Sequence, residues 1–191
     1  MPAMEGRFVR HSRRVAYENA WITVWHDEVS RPDGSPGIYG VVHFENLAAG
    51  VLAFDDEDRI VLVGQHRYTL GRGSWEIPEG GVPSTETPLE GIQRELREET
   101  GLEATDWREI GRLDLSNSIT DEEAVLFVAT GLRHGEATPE PTESIAMRWV
   151  AFDEAVAMVR AGAITDAISV AAILRVALDR ATPANSATSA S

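Results

Sequence analysis

Cysteine is absent from this chain of 191 residues, and basic residues are scarce beside acidic ones. Without cysteine, disulfides and thiolate chemistry are excluded. The 17 basic residues against 31 acidic ones leave a formal net charge of −14. Such a charge repels polyanions, so we expect no nucleic-acid partner and no membrane partner. No run reaches the roughly 18 apolar residues of a membrane span, and the start lacks an apolar stretch of signal-peptide length. We therefore expect a cytoplasmic protein.

Strand patterns are spread over most of the chain, and helical periodicity occurs in three places. Alternation and turn residues predict strands at 21–29, 38–44, 108–115, 124–130 and 147–152, and a hairpin over 50–68 that turns at residues 55–58. Apolar residues at helical spacing predict helices over 88–100, 153–162 and 164–181. Because strands and helices do not alternate regularly, we predict an α+β fold with a mixed sheet.

The pattern divides the chain into three regions of unequal length. Residues 1–46 hold only strand patterns and are predicted to form a small separate sheet, while residues 47–182 are long enough for one domain with a full core. Residues 183–191 are small and polar, which is typical of a disordered tail. Trp21 and Trp25 share one face of their strand, which indicates that this sheet packs against something, such as a second subunit.

The helix over 88–100 has clear start and stop signals in the sequence. Thr87 suits the N-cap, Pro88 suits the first helical position, and Glu90 completes a capping box. Gly101 is a natural C-terminal stop. At 100° per residue, one face of the helix carries apolar residues and is predicted to contact the core. The residues of this face are Leu89, Ile92 and Leu96.

Three carboxylates crowd the end of this helix, where acidic side chains oppose the helix dipole. Glu95, Glu98 and Glu99 form one stripe beside the apolar face, and Gly91 lies on the same stripe one turn earlier. A solvated acidic face is one interpretation. The other is a site for Mg²⁺ or Mn²⁺, because these cations prefer hard oxygen ligands and remove the repulsion between them. We favour the metal site, with Gly91 leaving open space beside the acids.

The spacing of these residues resembles the signature box of the Nudix hydrolases at every defined position. The matching residues are Gly80, Glu86, Arg94, Glu95, Leu96, Glu98, Glu99, Gly101 and Leu102. The flanking segments 64–81 and 161–174 resemble the ADP-ribose pyrophosphatase branch of that family. The resemblance implies an α/β/α sandwich. It also implies Mg²⁺-dependent hydrolysis of the pyrophosphate bond of ADP-ribose or a related nucleoside diphosphate sugar, giving a nucleoside monophosphate and a sugar phosphate.

The resemblance also implies roles for individual residues in holding the metal. Glu95 and Glu99 would be the principal ligands, with assistance from Glu98 and from the main-chain carbonyl of Glu79. Glu86 would help to organise the cluster. Arg94 would be a structural partner that orients a glutamate.

Substrate contacts are implied for residues outside the helix. Arg67 and Glu76 match positions that border the substrate in this branch, and a guanidinium suits phosphate oxygens. The competing role for Arg67 is a salt bridge to Glu76. Trp21, Trp25 and Tyr39 would stack on a base or, alternatively, pack in a dimer interface or in the core.

The general base is expected outside the helix, because a carboxylate bound to a cation has a lowered proton affinity. In the loop 116–123, Glu122 matches the loop glutamate of ADP-ribose pyrophosphatases best and Glu123 comes second. If neither acts, the base lies in the helix cluster, where Glu98 is the candidate.

The same loop bears on the choice of substrate. It lacks the proline that is common in the ADP-ribose pyrophosphatase branch, so GDP-mannose competes with ADP-ribose as the substrate. Two further functions stay compatible with the sequence. One is hydrolysis of dinucleoside polyphosphates or damaged nucleotides, and the other is ligand sensing by a catalytically inactive protein of the same fold.

Overall fold

The computed structural model describes residues 6–135 and 145–182, which form three sheets and three helices. The predicted tail 183–191 lies outside the described residues. The strands are β1 Val9–Glu18, β2 Ile22–Ser30, β3 Pro36–Phe44, β4 Leu47–Ala53, β5 Arg59–Arg67, β6 Arg72–Glu76, β7 Glu79–Val82, β8 Leu102–Asp114, β9 Glu123–His134 and β10 Ala146–Ala151. The helices are α1 Pro88–Thr100, α2 Phe152–Arg160 and α3 Ala167–Ala181. None of these helices is long and apolar enough to cross a membrane.

The first three strands form an antiparallel sheet of their own, in the order β1–β2–β3. This confirms the separate N-terminal sheet, although β1 was not predicted. Its sequence, VRHSRRVAYE, has no clean alternation, and all ten of its residues are exposed. The strand is defined only by its hydrogen bonds to β2, which a sequence pattern does not record.

The main domain contains a mixed four-stranded sheet and a smaller antiparallel one. The four strands run in the order β7–β4–β9–β8, with β4 parallel to β9 and antiparallel to β7. The smaller sheet has the order β10–β5–β6. The predicted mixed sheet is thus confirmed. The hairpin predicted over 50–68 is confirmed only at its turn, where Phe54 and Ile60 form an antiparallel bridge and the N–H of Asp55 donates to the carbonyl of Arg59 at 3.0 Å. Its strand pairing is wrong, because β4 and β5 join different sheets.

Helices cover both faces of the four-stranded sheet, which confirms the α/β/α sandwich. Along β4, Ala49 and Val51 belong to one buried cluster with Ile92 and Leu96 of α1. The alternate residue Leu52 belongs to a second cluster, which includes the apolar residues of α3. Successive side chains of a strand point to opposite faces, so a strand buried on both faces carries an almost continuous apolar run.

The capping signals of α1 are confirmed. Thr87 and Glu90 form the reciprocal capping box, and Gly101 ends the helix in the left-handed region at φ 69°. The apolar face is confirmed for Ile92 and Leu96, both fully buried. It is wrong for Leu89, which is 38% exposed. Leu89 lies in the first turn of the helix.

Candidate active site

The helix α1 and the short strand β7 approach each other closely because two glycines leave room for their neighbours. At Gly80, an added Cβ would lie 2.3 Å from the carboxyl carbon of Glu95. At Gly91, an added Cβ would lie 2.5 Å from Cγ2 of Val82. The prediction that Gly91 leaves open space beside the acids is therefore wrong, since that space is filled by Val82. The glycine that leaves room for an acid is Gly80.

The guanidinium of Arg94 lies between three of the predicted carboxylates. Its Nη1 donates to Oε1 of Glu95 at 2.8 Å and to Oε2 of Glu98 at 3.0 Å. Its Nη2 donates to Oε2 of Glu86 at 3.1 Å and to the carbonyl of Gly81 at 3.0 Å. The hydrogen bonds to Glu86 and to the other carboxylates hold the pKa of Arg94 above its usual range. Arg94 thus offsets part of the repulsion within the cluster.

Glu99, at the end of the stripe, contacts β7. The backbone N–H of Glu79 donates to Oε2 of Glu99 at 3.2 Å. The side chain of Glu99 and the main chain of Glu79 therefore lie next to each other, where the end of α1 meets β7. The predicted metal-binding residues Glu79, Glu95, Glu98 and Glu99 all line one cavity between α1 and β7, and we call them the carboxylate line.

A cavity of about 480 Å³ opens over these carboxylates. Its lining comprises Trp21, Asn46, Gln65, Arg67, Glu79, Gly80, Gly81, Pro83, Arg94, Glu95, Glu98 and Glu99. Trp21 comes from the turn between β1 and β2 and is 71% exposed. Asn46, between β3 and β4, and Gln65, within β5, were not predicted, because isolated polar residues carry no distinctive pattern.

Trp25 does not line this cavity, and Trp21 precedes β2, so the predicted strand face shared by the two tryptophans is absent. Its ring is stacked on His43 of β3 with 4.6 Å between centroids, and the guanidinium of Arg13 of β1 lies 3.7 Å from its centroid. Tyr39 likewise has a partner within the chain, the carbonyl of Ser118. The structure therefore brings only Trp21, of these three aromatic residues, to the carboxylates.

Arg67 and Glu76 form a bidentate pair next to the first cavity. Nε of Arg67 donates to Oε1 of Glu76 at 3.0 Å, and Nη2 is bonded to Oε2 of the same carboxylate. Nη2 also lies 3.6 Å from Oε1 of Glu79. The salt bridge, which was the competing role for Arg67, is thus present. Arg67 also lines both this cavity and a second one, so its guanidinium is placed where a substrate could reach it. Contact between Arg67 and a substrate stays a prediction.

The second cavity, of about 680 Å³, lies on the α3 side of Arg67. Its acidic lining residues are Glu76, Glu79, Glu122 and Asp166. Burial, and then the negative charges of Asp166 and Glu76, raise the pKa of Glu79 well above its usual range. Oε2 of Glu79 is buried and has no hydrogen-bond partner among the described residues.

Asp166 was not predicted as a site residue. It caps α3 by accepting from the N–H of Ser169 at 2.7 Å, and this local role is readable from an aspartate that precedes a helical pattern. Its position beside Glu79 is a tertiary contact between distant segments, for which the sequence holds no signal.

The two candidate bases in the loop differ in their surroundings. Glu122 is half-buried, lines the second cavity and has a raised pKa, caused first by burial and then by the charge of Asp166. Glu123 is exposed, is the first residue of β9 and lies opposite Asp114. The structure thus places Glu122, and not Glu123, with Arg67 and Glu79.

The carboxylate cluster has the donor chemistry that a hard divalent cation requires. Glutamate oxygens outnumber the two arginines of the first cavity, and Gly80 keeps a Cβ out of the space that Glu95 occupies. Within residues 6–135 and 145–182, however, no three acidic or histidine side chains already converge in a metal-binding arrangement. Glu86, Glu95 and Glu98 are turned toward Arg94 instead, so a cation would take over carboxylates that Arg94 holds here.

Two family models match this chain. Residues 45–171 match the NUDIX domain family, and residues 9–42 match the nucleoside diphosphate sugar hydrolase N-terminal domain. The fold and the site define a Nudix-type hydrolase. The chain belongs to the Nudix family.

Several characterised proteins are similar to this chain over most of its length. An ADP-ribose pyrophosphatase of Mycobacterium tuberculosis is 35% identical, with 90% of this chain and 84% of the relative covered. One of Bacillus subtilis is 31% identical, with 80% and 83% covered. Among solved structures, an ADP compounds hydrolase superposes with a TM-score of 0.81 over 93% of this chain and 95% of that one. At 16% identity, this last likeness concerns the fold alone.

Proposed function

We propose that this protein hydrolyses the pyrophosphate bond of ADP-ribose or a related nucleoside diphosphate sugar, with Mg²⁺ as the cofactor. The products are a nucleoside monophosphate and a sugar phosphate. The observation that carries the proposal is the line of carboxylates between α1 and β7, which faces a cavity that also contains Arg67 and Trp21. The relatives named ADP-ribose pyrophosphatase support the same substrate class.

Electrostatics explains why the reaction needs a divalent cation. Glu79, Glu95, Glu98 and Glu99 line the first cavity, and a diphosphate carries negative charge as well. The site would repel the substrate unless cations neutralised part of this charge. Glu95, Glu99, Glu98 and the carbonyl of Glu79 would hold Mg²⁺, or Mn²⁺ in its place. Such a cation activates water and stabilises the charge that develops at phosphorus.

The remaining groups of the site are suited to orient the two ends of the substrate. Trp21 offers an exposed ring on which a base can stack, and Asn46, which lines the same cavity, offers hydrogen bonds. Arg67, fixed by Glu76, presents a guanidinium between the two cavities, where a phosphate would pass. We assign Arg94 to the orientation of Glu86, Glu95 and Glu98.

A substrate panel with products identified by mass tests the proposal. The panel contains ADP-ribose, GDP-mannose, ADP-glucose, NADH and diadenosine polyphosphates, each with and without Mg²⁺. We expect one nucleoside diphosphate sugar to be cleaved to a monophosphate and a sugar phosphate, with activity lost on chelation and regained with Mg²⁺. Faster turnover of the dinucleoside polyphosphates would contradict the proposed substrate class. Binding without any turnover would point to a sensor.

We also predict that the protein is a homodimer. Residues 15–46 would form part of the interface and of the neighbouring active site. The N-terminal sheet and the residues beside its strands expose a set of large apolar side chains, which marks a candidate interaction surface. They are Phe8, Val9, Val15, Tyr17, Trp21 and Ile38. We expect light scattering at micromolar concentration to give twice the mass of one chain.

Matched variants locate the interface. Val15→Asp and Tyr17→Asp should give monomers of lowered activity, because a charge in an apolar interface has no partner. Leu178→Asp, at a similarly exposed position on α3, should leave the dimer intact. A fully active monomer at micromolar concentration would contradict the prediction.

A further inference from the structure

The loop between β8 and β9, residues 115–122, lies along strand β3 of the N-terminal sheet. The N–H of Val42 donates to the carbonyl of Ile119 at 2.8 Å, and the carbonyl of Val42 accepts from the N–H of Asp121 at 3.3 Å. Val42 and Thr120 thereby form a parallel bridge. The hydroxyl of Tyr39 donates to the carbonyl of Ser118 at 2.6 Å. Backbone hydrogen bonds thus hold the loop against the edge strand β3 of the N-terminal sheet.

The side chain of Asp121 adds two contacts to the same strand. Nδ1 of His43 lies 2.7 Å from Oδ2, and the N–H of Phe44 donates to Oδ1 at 3.3 Å. Both carboxylate oxygens are therefore held by consecutive residues of β3. Glu122 follows directly, and its own carbonyl accepts from the N–H of Leu115 at 2.9 Å. The main chain on both sides of Glu122 is fixed.

His43 is itself held in place by the interior of the N-terminal sheet. Its ring stacks on Trp25 at an angle of 14° between planes, and the guanidinium of Arg13 also lies against Trp25. Arg13 makes two hydrogen bonds of 2.7 Å to Asp27, which is 4% exposed. A continuous series of contacts therefore runs from β1, through β2 and β3, to the residue that precedes Glu122.

We propose that β3 sets the position of Glu122, and that His43 and Asp121 are positioning residues for it. The inference rests on the proposed function, because it takes Glu122 as the group that accepts the proton from water. A base must lie within hydrogen-bond reach of its proton, and a displacement of about 1 Å lowers a rate by about 100-fold. The carboxylates of α1 are placed separately, by Arg94 and β7. Losing the His43–Asp121 pair should therefore lower kcat and spare KM.

The experiment compares His43→Ala and Asp121→Ala in the full chain with two matched variants. His26→Ala removes another histidine of the same sheet, whose Nε2 lies 3.1 Å from Glu28 on β2. His43→Asn keeps an N–H donor near the place of Nδ1. We expect kcat to fall about 10- to 100-fold in both alanine variants, with KM within about threefold of wild type. His26→Ala should keep the wild-type rate, and His43→Asn should recover most of it.

Amide hydrogen exchange over residues 115–122 gives a second readout that needs no substrate. Exchange should be faster in His43→Ala and Asp121→Ala, because these two substitutions release the loop. It should be unchanged in His26→Ala. If wild type cleaves its substrate and both variants keep kcat within about twofold, the inference fails and the proposed function stands. If wild type cleaves nothing, the proposed function fails. If exchange over residues 115–122 is also unchanged in His43→Ala and Asp121→Ala, the claim that these residues hold the loop on β3 fails as well.

A milder variant keeps the inference testable if the alanine variants fail to fold. Tyr39→Phe removes only the hydroxyl that donates to Ser118, with almost no change in volume. We expect kcat to fall about 3- to 10-fold at unchanged KM, together with faster exchange over residues 115–122. A wild-type kcat with wild-type exchange would overturn the inference.

Discussion

Glu99→Gln is expected to lower kcat by about 10²- to 10⁴-fold, the range for the loss of an electrostatic group at a reacting phosphorus. Glu99 lies at the C-terminal end of α1, and the N–H of Glu79 on β7 holds its carboxylate at 3.2 Å. Glutamine keeps the size of the side chain and an oxygen that can accept this hydrogen bond. It lacks the negative charge, so a cation between helix and strand loses one of its principal ligands.

The measurement is steady-state kinetics at saturating substrate over a series of Mg²⁺ concentrations, with the fold checked by circular dichroism. Glu103→Gln is the matched control, because this exposed glutamate of β8 lies outside the carboxylate line. We expect it to keep the wild-type rate. Metal-free Glu99→Gln should melt at a higher temperature than wild type, since one like charge fewer remains in the cluster. A near-normal kcat at moderate Mg²⁺ would remove Glu99 from the site.

Glu122→Gln is expected to lower kcat by about 10²- to 10⁴-fold, as the loss of a general base does. Glutamates that bind a cation are poor bases, because the cation lowers their proton affinity. Glu122 has the opposite environment, since burial and the charge of Asp166 raise its pKa. A base acts when deprotonated, so kcat of wild type should fall as the pH drops through this raised pKa. The variant should lack that pH dependence, while its metal and substrate affinities change little.

The adjacent residue provides a control of the same chemistry. Glu123→Gln changes an exposed carboxylate that lies opposite Asp114 and outside both cavities, so we expect little effect. If Glu123→Gln loses the rate and Glu122→Gln keeps it, the alignment of the loop is displaced by one residue. If neither variant loses it, the base lies among the helix carboxylates, with Glu98 as the candidate.

Features set by a few neighbouring residues were predictable from the sequence. The capping box of α1 joins Thr87 to Glu90, and its left-handed end is a property of Gly101. Such contacts span one turn of helix, so the sequence contains all their participants. The carboxylate stripe follows from the period of the helix in the same way. The Nudix signature fixes the positions of these residues, so the part of the site that α1 contributes was predictable as well.

Features that depend on contacts between distant segments were not predictable. The sequence indicates open space at Gly91 because nothing in it places Val82 of β7 against that glycine. It likewise favours pairing of β4 with β5, which are adjacent along the chain, whereas β4 pairs with β7 and β9. Asp166 reaches the second cavity without any signal, since it meets Glu79 only in the folded chain. Tertiary packing decides each of these cases.

The parallel pairing of β4 with β9 has a consequence for how the chain folds. Ala48 lies opposite Ala124, so β4 has to wait for a partner that is synthesised much later. Closing so long a loop loses conformational entropy before the new contacts compensate for it, which makes folding slow. Until then, Val51 and Leu52 of β4, fully buried in the native state, remain open to water and to other chains. A nascent or truncated chain that ends before β9 should therefore depend on chaperones to escape aggregation.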